Sequence, residues 1–519
     1  MHSTRVNQQL ATIGPGPTVL LCLLCSAALA GPATAQSAKT DEVSTAELLR
    51  RLEELERNQA EMQRELDQRE EQVERLIRRR SEREAQRADV VGDQEGIVGA
   101  DDVQPPGAPA EAIGPDGEND YFGVFQTGGR GFKVADTPSG DLNISLWAYI
   151  RYLNQKGLDE TYTDAFGRSF ELDLRNDVQV NKVNIYFKGW LFDPRFRYQA
   201  FVWTANTSQG DPAQVVVAGA LSYRFRQWLD VGAGIGALPG TRTLIGTFPY
   251  WNKVDTRPMA DEFFRPSYTT GIWAQGALTE GLMYKFMVGN NLSQLGVSAS
   301  QLDNDFNTVS AAIWWMPTTG EYGPAGGFGD FEHHEELATT VGLHVTRSRE
   351  DKQSQPDTED IQNSQIRLSD GTILFTPDAF DTDGSILRAT YLMSSVDAGM
   401  KYRGLSLDGE YYFRWVDDFD TVGSIPVEDL FDHGFQLQAS AMLMPKSLQG
   451  YIAASKIYGE YGDPYDFSVG LNWFPLQERL FRLNTEVLYL KNSPVGYSSV
   501  PFAVGGNGTV FHANLEVYF

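Results

Sequence analysis

The last nine residues, Phe511-His512-Ala513-Asn514-Leu515-Glu516-Val517-Tyr518-Phe519, are apolar at every odd position and polar at every even one from His512 to Glu516. A period of two places alternate side chains on opposite faces of an extended strand, so one face seeks oil and the other water. The same period recurs upstream. Leu142, Ile144, Leu146, Ala148 and Ile150 alternate with Asn143, Ser145, Trp147, Tyr149 and Arg151, and Phe467, Val469, Leu471 and Trp473 alternate with Ser468, Gly470 and Asn472. Strands of this kind suit a closed sheet with lipid outside and water inside, because lipid-facing residues are then diluted by lumen-facing ones. Tyr518 is expected at the membrane interface.

Applied along the chain, the pattern predicts an all-β fold with strands near 142–152, 179–189, 195–203, 214–225, 228–236, 268–277, 281–289, 306–315, 335–347, 394–402, 405–415, 434–442, 450–457, 465–474, 481–490 and 509–519. The connections sort into two kinds. Short turns fall at 190–194, 226–227, 278–280, 403–404, 443–449 and 475–480, with long segments at 153–178, 237–267, 348–393, 416–433 and 491–508 between them. Short turns on one side and long loops on the other are the habit of a 16-stranded antiparallel transmembrane β-barrel in a bacterial outer membrane, both termini in the periplasm. The bilayer requires closure, since an open edge leaves unpaired backbone groups in hydrocarbon. No stretch after residue 35 approaches the ~20 apolar residues of a membrane helix.

The amino-terminal quarter reads differently. Arg5, an apolar run from Val19 to Ala30 and Ala33-Thr34-Ala35 predict a signal peptide over 1–35. Both cysteines, Cys22 and Cys25, lie in it, so a mature chain has no disulfide. Leu48, Leu52, Leu55, Gln59, Met62, Leu66, Arg69, Val73 and Leu76 keep a heptad, which predicts a periplasmic α-helical coiled coil over 41–91. The Gly- and Pro-rich stretch 92–127 is expected to be a flexible linker to the barrel at 128–519.

Charge bears on function in two opposed ways. The chain carries 43 Lys and Arg against 69 Asp and Glu, a net charge of −26, which excludes nucleic acid as a partner. Yet the residues opposite the apolar sets, which should line the lumen, are about two to one basic. The basic candidates are Arg151, Lys182, Lys188, Arg197, Lys285, Lys401, Arg414, Lys456 and Arg482, with Arg195, Arg224 and Arg403 nearer the rims. The acidic ones are Asp230, Asp397, Asp408, Glu410, Glu486 and Glu516. A narrow lumen focuses the field of its own charges, so anions are the expected solutes. The segment 237–267 holds Phe248, Tyr250, Trp251, Phe263 and Phe264, too apolar for a loop in open water. It is expected to fold inward and present Arg242, Lys253, Arg257 and Arg265 at a pore constriction; the alternative is an outer loop clasping a neighbouring subunit.

The layout resembles the phosphate-selective porin O and P family. The resemblance covers roughly 128–519. It rests on Gly131-Phe132-Lys133, the Asp193-Pro194-Arg195-Phe196-Arg197-Tyr198 turn and strand, Val231 to Gly236, Phe263-Phe264-Arg265-Pro266 and the terminal Phe519. It implies a 16-stranded homotrimer whose constriction uses arginines and lysines, some members carrying an amino-terminal coiled coil. The inward loop also holds Asp255, Asp261 and Glu262, and no ladder of arginines is evident, so phosphate stays one candidate among small anions.

Other chemistry is thin. His333-His334-Glu335-Glu336 reads as a cluster at a turn end, and Asp378, Asp381 and Asp383 only loosely match a calcium loop. No Gly-x-Ser-x-Gly elbow occurs, and no cofactor, metal or enzyme activity is expected. The expected function is a passive channel for small anions in contact with outer-membrane lipid. The alternative is a structural tether whose coiled coil holds the cell wall.

Overall fold

The computed structural model describes residues 131–205, 214–294, 305–351, 366–497 and 500–518. The predicted signal peptide, coiled coil and linker lie outside the described residues. Nineteen strands follow in chain order: β1 Phe132–Thr137, β2 Gly140–Leu158, β3 Thr161–Thr163, β4 Ser169–Glu171, β5 Asn176–Leu191, β6 Asp193–Ala205, β7 Gln214–Arg226, β8 Leu229–Ala237, β9 Tyr268–Thr279, β10 Leu282–Gly289, β11 Thr308–Trp315, β12 Ala338–Asp351, β13 Ser385–Tyr402, β14 Leu405–Val422, β15 Leu430–Met444, β16 Leu448–Tyr458, β17 Tyr465–Trp473, β18 Phe481–Lys491 and β19 Gly508–Tyr518. A short α-helix, α1, spans Met259–Phe264.

From β2 to β5 and onward each strand pairs antiparallel with the next, and β19 returns to β2 with Leu515 opposite Ile150. The result is a closed barrel of sixteen strands, each the counterpart of one read from the alternation. β1 stands apart. It pairs with the first residues of β2, below the point where β19 ends at Tyr518 opposite Trp147, and so lengthens the wall at the end where the turns are short. β3 and β4 form a hairpin within the 159–175 connection.

The alternation works as the sequence implies, with burial inverted relative to a soluble sheet. On β17, Tyr465, Phe467, Val469, Leu471 and Trp473 are exposed on the outer face, while Asp466, Ser468, Gly470 and Asn472 are buried inside. Aromatic residues close both ends of that strand, where a bilayer meets water. β13 and β14 have 18 residues each, well past the ~9–11 that cross a membrane. On β14 the outward rings Tyr411, Phe413 and Trp415 give way to Asp418 and Asp420, which pair with Arg349 at 2.9 and 3.1 Å. That change from rings to ion pairs marks the upper edge of the apolar band.

Two departures matter for the site. Between β2 and β5 the register slips at Tyr149/Ile150, so Val180 and Lys182 are the successive partners and Asn181 bulges. A bulge adds one residue to one strand, and here it turns both Asn181 and Lys182 inward. The second departure is the connection 316–337 between β11 and β12. It lies at the short-turn end, in the gap between the predicted strands 306–315 and 335–347.

Candidate functional site

The segment 238–267 leaves β8 at the long-loop end and crosses the lumen. Its backbone is held from several sides. Val254 O accepts from Arg151 Nη2 at 2.9 Å, Trp251 O from Arg482 Nη1 at 2.7 Å, and Asn252 O from Asn472 Nδ2 at 2.8 Å. Met259 N donates to Asp466 at 3.2 Å and Ala260 N to Ser455 at 2.9 Å. These partners stand on β2, β16, β17 and β18, so the loop is tied across the barrel. Met259, Phe263 and Phe264 of α1 complete the fastening by packing on inward Tyr412, Ile457, Leu488 and Val510. The rings that were too apolar for a water-facing loop are thus covered by the wall.

The connection 316–337 enters from the opposite end and meets it. Phe328 N donates to Tyr250 O at 2.7 Å, and the Arg242 guanidinium lies between the rings of Tyr322 at 5.0 Å and Phe328 at 4.5 Å. Tyr322 OH donates to Asp408 at 2.9 Å, and Phe331 packs edge-on against Phe474. The loop is folded on itself around His334, whose ring contacts both Asp330 and Glu321. Those two carboxylates raise the His334 pKa to about 9, so it is cationic at neutral pH. Two loops from opposite ends therefore occupy the lumen alongside β13 to β18.

All four cations expected at the constriction lie inside the barrel, and every one is paired with acid. Arg242 sits 2.8 Å from Asp408, Lys253 2.8 Å from Glu486, Arg257 3.1 Å from Glu262, and Arg265 2.7 Å from the same Glu262. Buried charges persist only when compensated in this way. Arg242 and Lys253 serve as braces between loop and wall. Arg257 and Arg265 border open space.

The lumen wall is corrected in the same direction. Arg151, Lys182, Lys188, Arg197, Lys285, Lys401, Arg414 and Arg482 do stand inside. Lys456 does not. It shares the outer face of β16 with Ile452 and Ala454, its amine 4.4 Å above the ring of Tyr458, near the upper rim where a lysine stem can lie along lipid and its charge reach water. Arg195 and Arg403 are exposed at turns. Inward acids that escaped the sequence reading include Glu350, Asp432 and Asp466. The two-to-one basic surplus of the wall disappears, and several cations are structural. Arg414 bonds Asp432 at 2.5 Å, Arg482 bonds Glu516 at 2.6 Å, and Lys401 donates to Tyr322 O at 2.7 Å. Tyr518, expected at the interface, instead points inward against Tyr250. The acids Asp378, Asp381 and Asp383 do not converge; among the described residues no group of three His, Cys, Asp or Glu could hold a metal.

Open space remains on the other side, along β5 to β9. A vestibule of about 630 Å³ at the long-loop end is lined by Arg168, Arg175, Glu171, Asp173, Asp378 and neighbouring loop residues down to Tyr497. Tyr497 also borders a second cavity of about 110 Å³ between the inward loop and the wall. Here Lys182, Arg257 and Arg265 face Asp255 and Glu262, amid Tyr186, Phe201, Trp203, Ile235, Phe248 and Trp251. A third cavity, about 30 Å³, lies toward the short turns, with Lys188, Arg197 and Arg224 against Asp230. Lys182 and Lys188 sit on the same inward face of β5, so the second and third cavities are stacked along one wall.

In the narrow cavity the Lys182 amine is 2.6 Å from Asp255, which also accepts from Tyr149 OH at 2.8 Å. Arg257 lies 4.4 Å over the Trp251 ring and donates to Thr243 at 3.0 Å. Burial alone would raise the Glu262 carboxyl, but Arg265 and Arg257 outweigh it and hold its pKa at about 2. Burial and the nearby Glu410 carboxylate push Asp261 the other way, above the usual carboxylate range.

No protein-family model and no curated protein sequence matches the chain. Solved structures to which it is similar are outer-membrane porins and channels. An anion-selective porin from Comamonas acidovorans aligns at 11% identity over 73% of this chain and 100% of its own, TM-score 0.44. The outer-membrane channel DcaP of Acinetobacter baumannii aligns at 10% identity over 75% and 99%, TM-score 0.45. Salmonella typhi OmpF, solved with daunomycin, aligns at 12% identity over 75% and 100%, TM-score 0.44.

Proposed function

We propose that the protein is an outer-membrane channel through which small solutes diffuse passively, with a preference for anions. The observation that carries the preference is the lining of the two inner cavities along β5 to β9. Lys182, Arg257, Arg265, Lys188, Arg197 and Arg224 face only Asp255, Glu262 and Asp230 there. The excess is modest, which suits a channel, since a site must bind weakly enough to release. The vestibule has the reverse balance, but it is wide and salt screens its charges within about 8–10 Å. Phosphate is one such anion, and nothing in the lining singles it out. The periplasm is the side of both barrel ends in this reading, which fits the placement of the short turns, and a homotrimer is the assembly in which the predicted coiled coil would bundle.

The test is the reversal potential of the full-length protein in a planar bilayer under a KCl gradient. Chloride over potassium is the expected order. Cation selectivity would overturn the reading.

A further inference from the structure

The narrow cavity sets aromatic rings beside cations at the edge of open space. On β15, β17, β18 and β19 the inward face carries amides such as Gln436, Gln438, Asn472, Asn484 and Asn514, and the inward rings and aliphatic chains of other strands are buried in packed clusters. Around the 110 Å³ space the wall turns aromatic: Phe201 and Trp203 from β6 and Phe248 and Trp251 from the inward loop, with Ile235 from β8. Trp203, Ile235 and Phe248 are only half-buried, so apolar surface is left bare inside a lumen where the neighbouring positions carry polar groups. Bare apolar surface in a water-filled passage is costly unless something transiently covers it.

The cations stand beside these rings. The Lys182 amine is 5.4 Å from the Trp203 ring centre, and the Arg257 guanidinium lies on Trp251. A solute whose carboxylate exchanges places with Asp255 on Lys182 would lay its attached body along Trp203. An inorganic anion or acetate would gain the charge contact and leave the rings wet.

We propose, resting on the channel reading above, that the constriction favours organic carboxylates with a ring or other flat apolar body over inorganic and small aliphatic anions. Block of the chloride current by benzoate, acetate and inorganic phosphate, added in turn to the full-length protein in a planar bilayer, tests this. Benzoate should half-block at a concentration at least about tenfold below that of acetate or phosphate, a difference of ~1.4 kcal/mol. Trp203→Ala should bring benzoate to within about threefold of acetate, and Trp203→Leu, which keeps bulk without the ring face, should fall between. Equal half-blocking concentrations for benzoate and acetate on the native protein would overturn the inference while leaving anion selectivity standing. Cation selectivity in the same recordings would instead remove the reading on which it rests.

Discussion

Replacing Glu262 by Gln tests the electrostatics of the constriction with one atom exchanged. The amide oxygen can still accept from Arg265, now 2.7 Å away, while the contact with Arg257 at 3.1 Å is given up and one negative charge leaves the lining. Lys182, Arg257 and Arg265 then face only Asp255. For an ion passing at ~6 Å, one unit charge in a water-like dielectric changes its energy by roughly 0.7 kcal/mol, about threefold in occupancy. Anions gain and cations lose, so the chloride-to-potassium permeability ratio of Glu262→Gln should rise about tenfold over the native protein. The assay is the reversal potential between roughly 0.1 M and 0.01 M KCl, where screening is weak; near 1 M the Debye length falls to about 3 Å and the difference should collapse. Mild acid should leave Glu262 itself charged. Glu262 is held at about 2, so its charge and the stability of its arginine pairs persist above the ordinary carboxylate range and are lost only as pH falls toward 2. A permeability ratio unchanged at low salt would refute the placement of these charges along the solute path.

Arg242→Met strips Asp408 of its 2.8 Å partner in a fully buried setting, at a cost of about 3–5 kcal/mol. A lower denaturation midpoint and noisier open-channel current are expected, both restored in part by adding Asp408→Asn. His334 gives a pH dependence of definite sign: its pKa is raised, so its hold on 316–337 is complete below about 6.5 and lost as pH rises through about 9. Limited proteolysis within 316–337 should accelerate over that interval in the native protein and be flat in His334→Ala. Lys456→Gln, on the outer face, should leave the reversal potential unchanged at every salt concentration.

The wall was legible because lipid imposes a period of two on every strand, and that period survives wherever one face is strongly apolar. β17 and β19 show this well. Lys456 fails where the contrast fades, since β16 carries Ala453, Ser455 and Ile457 on one face and Ile452 and Ala454 on the other. The inward course of 238–267 was visible in its rings. The same signal, Tyr322, Phe328 and Phe331 among glycines, is present in 316–337. What one sequence could not disclose is charge pairing. Lys253 and Glu486 are 233 positions apart, and only closure of the barrel makes them neighbours. Residue counts therefore overstated the free positive charge inside.

The bulge at Asn181 has a genetic corollary. Losing that single codon would straighten β5 and shift everything on one side of it by a step, carrying either Lys182 and Lys188 or Gln179 from the aqueous side of the wall to the greasy one. Insertions and deletions of one residue in this strand should thus be far rarer among descendants of the gene than changes of side chain, because a lone extra amino acid decides which molecules the wall shows to the passing solute.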